Sequence, residues 1–343
     1  MTKRPTLRDV AVRADVDPAT VSRALDPARA GRVTAATTQR VAQAAAELGY
    51  RPNRIARSLR TRRSGLIGIV IPDLVNPVIP PIVRGIEDIL WKAGYACVLA
   101  DTDNVPHREA ALVNELRDRG CDGFIISSVT RTSPVPTELA ESGIAAVLVT
   151  RGTDRACLPH VTSDDASGID MAVTHLFELG HRRIAYVGGP PDLSTTVVRQ
   201  TAFLRAVVSL GIDPSDTLLA SCRAYTTAAA LPVAHEVLRS TTGFTAIVAG
   251  NDMIALGCLA ALEDMGLRCP EDVSVVGFND MPLVDRLKPA LTTVSVPQHE
   301  IGSTAASLLL KRMAGRGDPT AVLLLPTQLV VRASTSQPRR DRA

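Results

Sequence analysis

The sequence predicts an N-terminal all-α head carrying a helix-turn-helix, followed by an α/β body of two similar parallel-sheet halves. Three observations predict it. Residues 1–63 hold 14 Lys+Arg against 5 Asp+Glu, a net +9, whereas the remaining 280 hold 24 against 30, a net −6. Apolar residues in the first fifty positions recur at helical spacing between cap-type residues. From Gly65 on, short apolar runs alternate with helical stretches, which is the pattern of strand–helix–strand crossovers. A chain of 343 residues is long enough for more than one core.

The head is built in order. Thr6-Leu7-Arg8-Asp9 resembles a capping box, with an acid at the third helical position. Leu7, Val10 and Ala11 share one face, and Asp15-Val16 make a short turn. Asp17 caps the next helix, and Pro18 fits its first position, where no N–H is needed. Val21, Ala24 and Leu25 mark its buried side. After the loop "DPARAGRV", Thr34 caps a third helix, with Val41, Ala45 and Leu48 inward and Gly49 at its stop. The outer face of the second helix carries only Ala19, Thr20, Ser22 and Arg23. Small side chains there let the backbone approach base edges. Thr20 and Ser22 can bond phosphates or bases, and the fork of Arg23 matches guanine O6 and N7. Helix, tight turn and helix on a +9 unit point to the major groove of duplex DNA. A plain three-helix bundle is the alternative, and the charge tips against it.

Residues 51–63, "RPNRIARSLRTRR", form a separate piece. Asn53 can cap a short helix with Ile55, Ala56 and Leu59 on one side and arginines elsewhere. A helix this short is marginal alone and folds only when something holds it.

In the body, "LIGIVI", "ACVLA", "GFIISS", "AAVLVT", "RIAYVGG", "TAIVAG", "VSVVGF" and "AVLLL" read as buried parallel strands. Helices are expected near 82–93, 107–119, 166–179, 198–210 and 253–265. About nine strands over this length make two halves, dividing near residue 161. Ligands of open parallel sheets sit beyond the carboxyl ends of the strands. Those ends carry Asp73, Asp101, Ser127, Asn251-Asp252 and Asn279-Asp280. Converging Asp and Asn suit a small hydroxylated molecule. Each taken singly could be a strand or helix cap, and for Asp252 the cap is the better reading.

Several function classes are disfavoured. No apolar run approaches the length of about 18 residues that suggests a membrane span, and the N-terminus lacks the apolar stretch of a secretory signal. Six scattered cysteines with no CxxC read as core residues in a reducing cytoplasm. No GxGxxG, GxxxxGK[ST], HExxH or G-x-S-x-G is present, so the sequence implies no enzyme, cofactor or metal.

The residues also carry a resemblance. "TLRDVAVRADVDPATVSRAL", then "ELGYRPNRIARSLR", "GLIGIVIPDLVNP", "LGHRRIAYVGG", "AGNDMIALG", "DVSVVGFNDMP" and "LTTVSVP" resemble the LacI/GalR family of bacterial transcription regulators over nearly the whole chain. Asp15 stands where the family has a turn glycine, Asp17 where it has a cap serine, and Asp26 where it has an asparagine. The resemblance implies a body shaped like a periplasmic sugar-binding protein, with two lobes, three crossovers and a cleft between. It implies a DNA-binding domain over 1–50, a hinge helix over 51–63 and an effector-binding and dimerisation body over 64–338. Lobe 1 takes about 64–161 and 296–325, and lobe 2 about 162–292 and 326–338. The tail "RASTSQPRRDRA" shows no heptad pattern, and disorder is expected there, with 339–343 outside the folded body.

By the same resemblance, Thr6, Leu7, Pro18, Ala19, Thr34 and Tyr50 join Thr20, Ser22 and Arg23 as DNA-contacting positions. Asn53, Ala56 and Leu59 follow, with Leu59 as a minor-groove wedge beside its close-packed neighbour Ala56. Arg199 matches the effector-contacting arginine, with Phe203 after it and Ala202 in place of a glycine. Tyr225 matches a pocket aromatic, Val78 and Ile79 replace two aromatics, and Asn279 replaces an aspartate. Thr195, Ser127 and Asn251 complete the expected effector site. The implied protein is a cytoplasmic, nucleoid-associated homodimeric repressor that reads a near-palindromic operator under control of a sugar-like effector. The alternatives are a solute-binding protein for uptake, which leaves the basic head unexplained, and a regulator controlled by a partner protein.

Overall fold

A computed structural model describes residues 5–25, 33–50, 63–240 and 243–339. The chain divides into two compact units, Met1–Ser64 and Gly65–Ala343, each described by itself.

The first unit holds α1 (Leu7–Ala14), α2 (Pro18–Ala24) and α3 (Ala35–Glu47). Thr6 caps α1 as a complete capping box: its hydroxyl accepts from Asp9 N, and Thr6 N donates to the Asp9 carboxylate at 2.7 Å. Asp15 ends α1 at φ 50°, a left-handed position that Asp tolerates better than most residues. Asp17 caps α2 by accepting from Thr20 N at 2.9 Å and from the Thr20 hydroxyl at 2.5 Å. Thr34 caps α3 by accepting from Thr37 N. Val10, Ala11, Ala14, Val21, Val41, Ala44 and Ala45 form the small centre, with Leu7, Leu25, Leu48 and Tyr50 packed at its edge.

The second unit carries two six-stranded sheets. In lobe 1, β1 (Leu66–Ile71) is followed by α4 (Ile79–Lys92), β2 (Ala96–Asp101), α5 (Pro106–Asp118), β3 (Gly123–Ile126), α6 (Val135–Glu141), β4 (Ala146–Val149) and β5 (His160–Ser163). The chain then enters lobe 2 with α7 (Asp165–Glu178), β6 (Ile184–Gly188), α8 (Ser194–Ser209), β7 (Thr217–Ser221), α9 (Thr227–Arg239), β8 (Ala246–Ala249), α10 (Asp252–Asp264), β9 (Ser274–Asn279) and β10 (Thr292–Ser295). It returns to lobe 1 for α11 (Gln298–Met313) and β11 (Val322–Leu325), and ends in lobe 2 with β12 (Gln328–Val330). The sheet orders are β11-β5-β4-β3-β1-β2 and β12-β10-β9-β8-β6-β7. Only β12 is antiparallel among the paired strands described, and the register runs Leu66↔Ala96 and Ile184↔Ala246. In each sheet the first strand has its neighbours on opposite sides, which opens a crevice at its carboxyl end.

The central strands, such as β1 and β8, are apolar on both faces because helices cover both. In β1, Ile67, Ile69 and Ile71 face one core and Val70 the other. In β8, Ala246 and Val248 alternate in the same way with Ile247 and Ala249. Helix α4 lies close against α11: a Cβ at Gly85 would meet the His299 carbonyl oxygen at 2.0 Å, and one at Gly302 would meet that of Ile82 at 2.0 Å.

The structure departs from the sequence reading in several places. Twelve strands are described where about nine were expected, and four of them are not among the eight apolar runs named above. The extra ones, "HVTS", "TLLAS", "TTVS" and "QLV", are short and mixed in polarity, so they lack the apolar run used to find the others. Helices α6, α9 and α11 were also outside the expectation, and α8 starts at Ser194, four residues early. Much of the tail expected to be disordered is fixed. Ala333 N donates to the Ala290 carbonyl at 2.9 Å, and Ser334, fully buried, donates its hydroxyl to the Val275 carbonyl at 2.6 Å. Arg339 pairs with Asp272 at 2.6 Å. The serine and threonine hydroxyls supply the partners that an unpaired strand lacks.

Candidate functional site: an interlobe cleft and a helical nucleic-acid interface

In the head, the exposed side of α2 presents Pro18 and Ala19, with Thr20, Ser22 and Arg23 half-buried beside them. The Thr20 bonds to Asp17 hold that carboxyl below its ordinary value. The Thr20 hydroxyl proton is thus committed to the cap, which leaves its lone pairs outward. Arg23 Nε donates to the Ala19 carbonyl at 3.2 Å, so the guanidinium lies back along its own helix. Thr6 and Thr34 are exposed at the starts of α1 and α3, whereas Leu7 and Tyr50 pack partly into the head's centre. Asn53, Ala56 and Leu59 lie outside the described residues.

In the body, the carboxyl-end loops of both sheets converge on a cleft between the lobes. It consists of two adjoining chambers of about 70 and 440 Å³, and Asn76, Arg151 and Tyr225 line both. The smaller chamber gathers Val78, Ile79, Thr195, Arg199, Tyr225, Asn251 and Asn279. Of the residues expected there, only Ser127 lines neither chamber. Its buried hydroxyl donates to the Val70 carbonyl at 3.4 Å, while the next residue, Ser128, lines the larger chamber.

Arg199 is the best-fixed group. Its Nε donates to Asp165 Oδ2 at 2.7 Å, and its Nη1 donates to the Gly250 carbonyl at 2.6 Å. The guanidinium lies 3.8 Å from the centroid of the Phe278 ring, a cation–π contact. Burial alone would lower this guanidinium; the facing Asp165 more than offsets that and holds it above its ordinary value. A fork fixed on two sides presents its remaining donors in one direction. The Tyr225 hydroxyl bonds that of Thr196 at 2.7 Å, and a Cβ at Gly189 would meet the ring at 2.3 Å, so a side chain there would push the ring aside. Asn279 sits at φ 111°, a backbone position unusual for any residue but glycine, and its carbonyl accepts from Gln298 Nε2 at 2.9 Å.

Three other strand-end acids fasten structure instead of lining the cleft. Asp101 accepts from Leu74 N at 3.0 Å, and Asp280 pairs with Arg332 at 2.7 Å. Asp252 accepts from Met281 N at 2.8 Å and from the Thr293 hydroxyl at 2.6 Å. It is the first residue of α10; Asn251 is the cap, accepting from Ile254 N at 2.8 Å.

The sequence reading missed Arg151 and Glu109. Arg151 is 8% exposed, and its side chain donates to the Asn104 amide oxygen at 3.0 Å. Among the described residues it makes no salt bridge to a carboxylate, and burial lowers its guanidinium from the ordinary value. Glu109, also buried, accepts from the hydroxyls of Ser128 and Ser133, the latter at 2.5 Å. Arg151 stands two residues after β4, so the strand-end rule that found Asp73 could have found it. Glu109 sits inside a helix and gives no such signal.

Residues 6–53 match the family described as bacterial regulatory proteins, lacI family, and residues 173–335 match a periplasmic binding protein-like domain. The ribose operon repressor of Halalkalibacterium halodurans is 34% identical over 331 residues, covering 96% of this chain and 97% of that one. Among solved structures, the lac repressor dimer bound to operator and the anti-inducer ONPF is similar at TM-score 0.86 and 29% identity, covering 97% of this chain and 100% of that one. A complex of the transcriptional regulator CelR with cellobiose is similar at TM-score 0.74 and 31% identity, covering 96% and 100%. A capped helix-turn-helix head and a two-sheet cleft body thus recur together along the whole length of these relatives, and the chain belongs to the lacI family of bacterial transcription regulators.

Proposed function

We propose that a pair of these chains represses transcription by holding a near-palindromic operator, and that a sugar in the interlobe cleft sets how tightly they hold it. The observation that carries this is the Arg199 site: a buried guanidinium, fixed by Asp165 and Gly250, beside the amides of Asn251 and Asn279. Together they offer donors and acceptors of the kind that sugar hydroxyls pair with. The relatives support the two halves of the reading, since CelR is described with cellobiose bound and the lac repressor as a dimer on its operator. In this reading α2 enters the major groove, Arg23 reads a base, and Thr6, Thr34 and the loop ends touch phosphates. Leu59 and Ala56 of the hinge segment take the minor-groove role. The ligand is bound and released unchanged. No helix among the described residues is long and apolar enough to cross a membrane.

Sugar occupancy favours one lobe arrangement over another, and the affinity for DNA changes by the coupling free energy, typically ~1–3 kcal/mol. The test is fluorescence anisotropy with symmetric duplexes selected from random sequence, at several salt concentrations, with and without sugars. A salt-sensitive preference for one symmetric duplex, relieved by a sugar, is expected. Equal binding to all duplexes, unaffected by any sugar, would overturn the proposal.

A further inference from the structure

The smaller chamber, where Arg199, Asn251 and Asn279 converge, holds about 70 Å³. That is the space of about five to seven water molecules, each of which needs roughly 10–15 Å³ on this measure, room for one small ring and no more. The adjoining chamber holds about 440 Å³, within the range of ordinary ligand pockets. A molecule anchored at Arg199 therefore extends past Arg151 and Tyr225 into a space several times larger than its anchor.

The larger chamber has its own chemistry. The hydroxyl protons of Ser128 and Ser133 are committed to Glu109, so their oxygens face the space as acceptors. Arg151 and Arg223 supply donors from opposite lobes. Asp73, Glu109 and Asp192 share the lining with these two arginines, a balance that does not favour an anion such as phosphate. Among the described residues the wall carries two rings, the phenol of Tyr225 and the imidazole of His107. Interleaved donors and acceptors beside a tyrosine ring suit a second glycosyl unit. At the waist, Arg151 is a buried cation hydrogen-bonded to a neutral amide, with no carboxylate in salt-bridge contact among the described residues. Burying it is costly, and it is placed to donate to oxygens that bridge two rings.

We infer that the effector is a two-ring sugar, with one ring in the Arg199 chamber, the second in the Arg223 chamber, and Arg151 donating to the oxygens between them. This rests on the sugar-controlled reading above and names the size class of its ligand. The test is isothermal titration of the full chain with glucose and ribose as single rings, maltose, cellobiose and trehalose as two-ring sugars, and adenosine as a nucleoside. The same ligands are then added to the operator-binding assay. At least one two-ring sugar should bind tenfold or more tighter than any single ring. Thr132→Trp, at an exposed loop position lining the larger chamber, should remove that gain and leave single-ring binding unchanged. Ala110→Phe fills the same chamber from α5 and should act alike. A single ring that binds as tightly as every two-ring sugar and releases operator leaves the regulator reading standing and overturns the two-ring inference. So does tightest binding by adenosine, or two-ring binding indifferent to both filling variants. If no sugar binds, the sugar-controlled reading falls with it.

Discussion

Arg199 Nε and Asp165 Oδ2 lie 2.7 Å apart, and the two side chains, on neighbouring helices α8 and α7, are only 7% and 4% exposed. A buried pair of this kind adds little net stability over apolar packing, but removing one partner strands the other's charge. Among the described residues the second oxygen of Asp165 accepts from one neutral hydroxyl, that of Ser163 at 2.5 Å. Arg199→Leu should therefore lower the unfolding free energy by about 3–5 kcal/mol. The double variant Arg199→Leu/Asp165→Leu should cost much less than the sum of the two single changes. Urea unfolding of the four proteins checks this, and additive costs would show the pair to be uncoupled.

The pH dependence of stability should contain two opposing slopes. Burial pushes the Asp252 carboxyl up to about 7. The folded chain then holds a proton that the unfolded chain has lost, so this contribution is complete below the ordinary carboxylate value and is lost as pH rises through 7. Burial pushes the His181 imidazole the other way, down to about 4, with its ring nitrogens bonded to the Thr245 hydroxyl and the Ser336 carbonyl, each at 2.8 Å. Its contribution is complete above the ordinary histidine value and is lost as pH falls toward 4. Asp252→Asn should leave stability rising from pH 4 to about 6.5, and His181→Gln should leave it falling from pH 4 to 7. Either slope is limited to about 1.4 kcal/mol per pH unit. Urea melts across that range give the answer; two variants with the wild-type profile would refute the assignment.

Gly85→Ala and Gly302→Ala should each separate α4 from α11. Each new Cβ would meet a carbonyl oxygen of the other helix at 2.0 Å, and backbone cannot swing away as a side chain does. A loss of about 1–3 kcal/mol is expected, larger than the gain of ~1 kcal/mol from replacing glycine within a helix. A denaturant midpoint at or above wild type would mean that the helices slide apart freely.

Arg23→Ala should lose ~1–3 kcal/mol of discrimination at a single base pair of the operator. Scanning one operator by single-base changes with wild type and variant locates that position. A uniform loss across all sequences would instead assign Arg23 to the phosphates.

Much of this molecule is written locally. Thr6, Asp17 and Thr34 cap the helices that their sequence contexts nominate, since a cap depends on only four or so consecutive residues. Strands that are apolar on both faces, such as "LIGIVI", are equally visible. What stayed hidden depends on partners far along the chain. Ser334 orders the tail through Thr292 and Val275, and nothing near Ser334 in sequence announces them. The same holds for the site. Strand ends nominated Asp101, Asp252 and Asp280 as readily as Asp73, yet which acids face the cleft is settled by distant donors such as Met281 N and Arg332. Arg151 escaped notice because its burial, and its bond to Asn104 some 47 residues earlier, are properties of the packed fold.

The polypeptide passes between its lobes at residues 163–165, 295–298 and 325–328, and two of these passages are bonded to each other, Asp164 N to the Leu325 carbonyl at 2.7 Å and the Thr327 hydroxyl to the Asp164 carbonyl at 3.1 Å. Three strings running side by side behave like a door hinge: they resist sliding and stretching, and leave a single swing as the soft motion. Elsewhere between the lobes, Gly152 N donates to the Ser194 hydroxyl at 2.8 Å, which acts as a catch on that door. Severing any one string with a protease should leave the halves attached and still able to swing, so a nicked sample would co-purify as one particle.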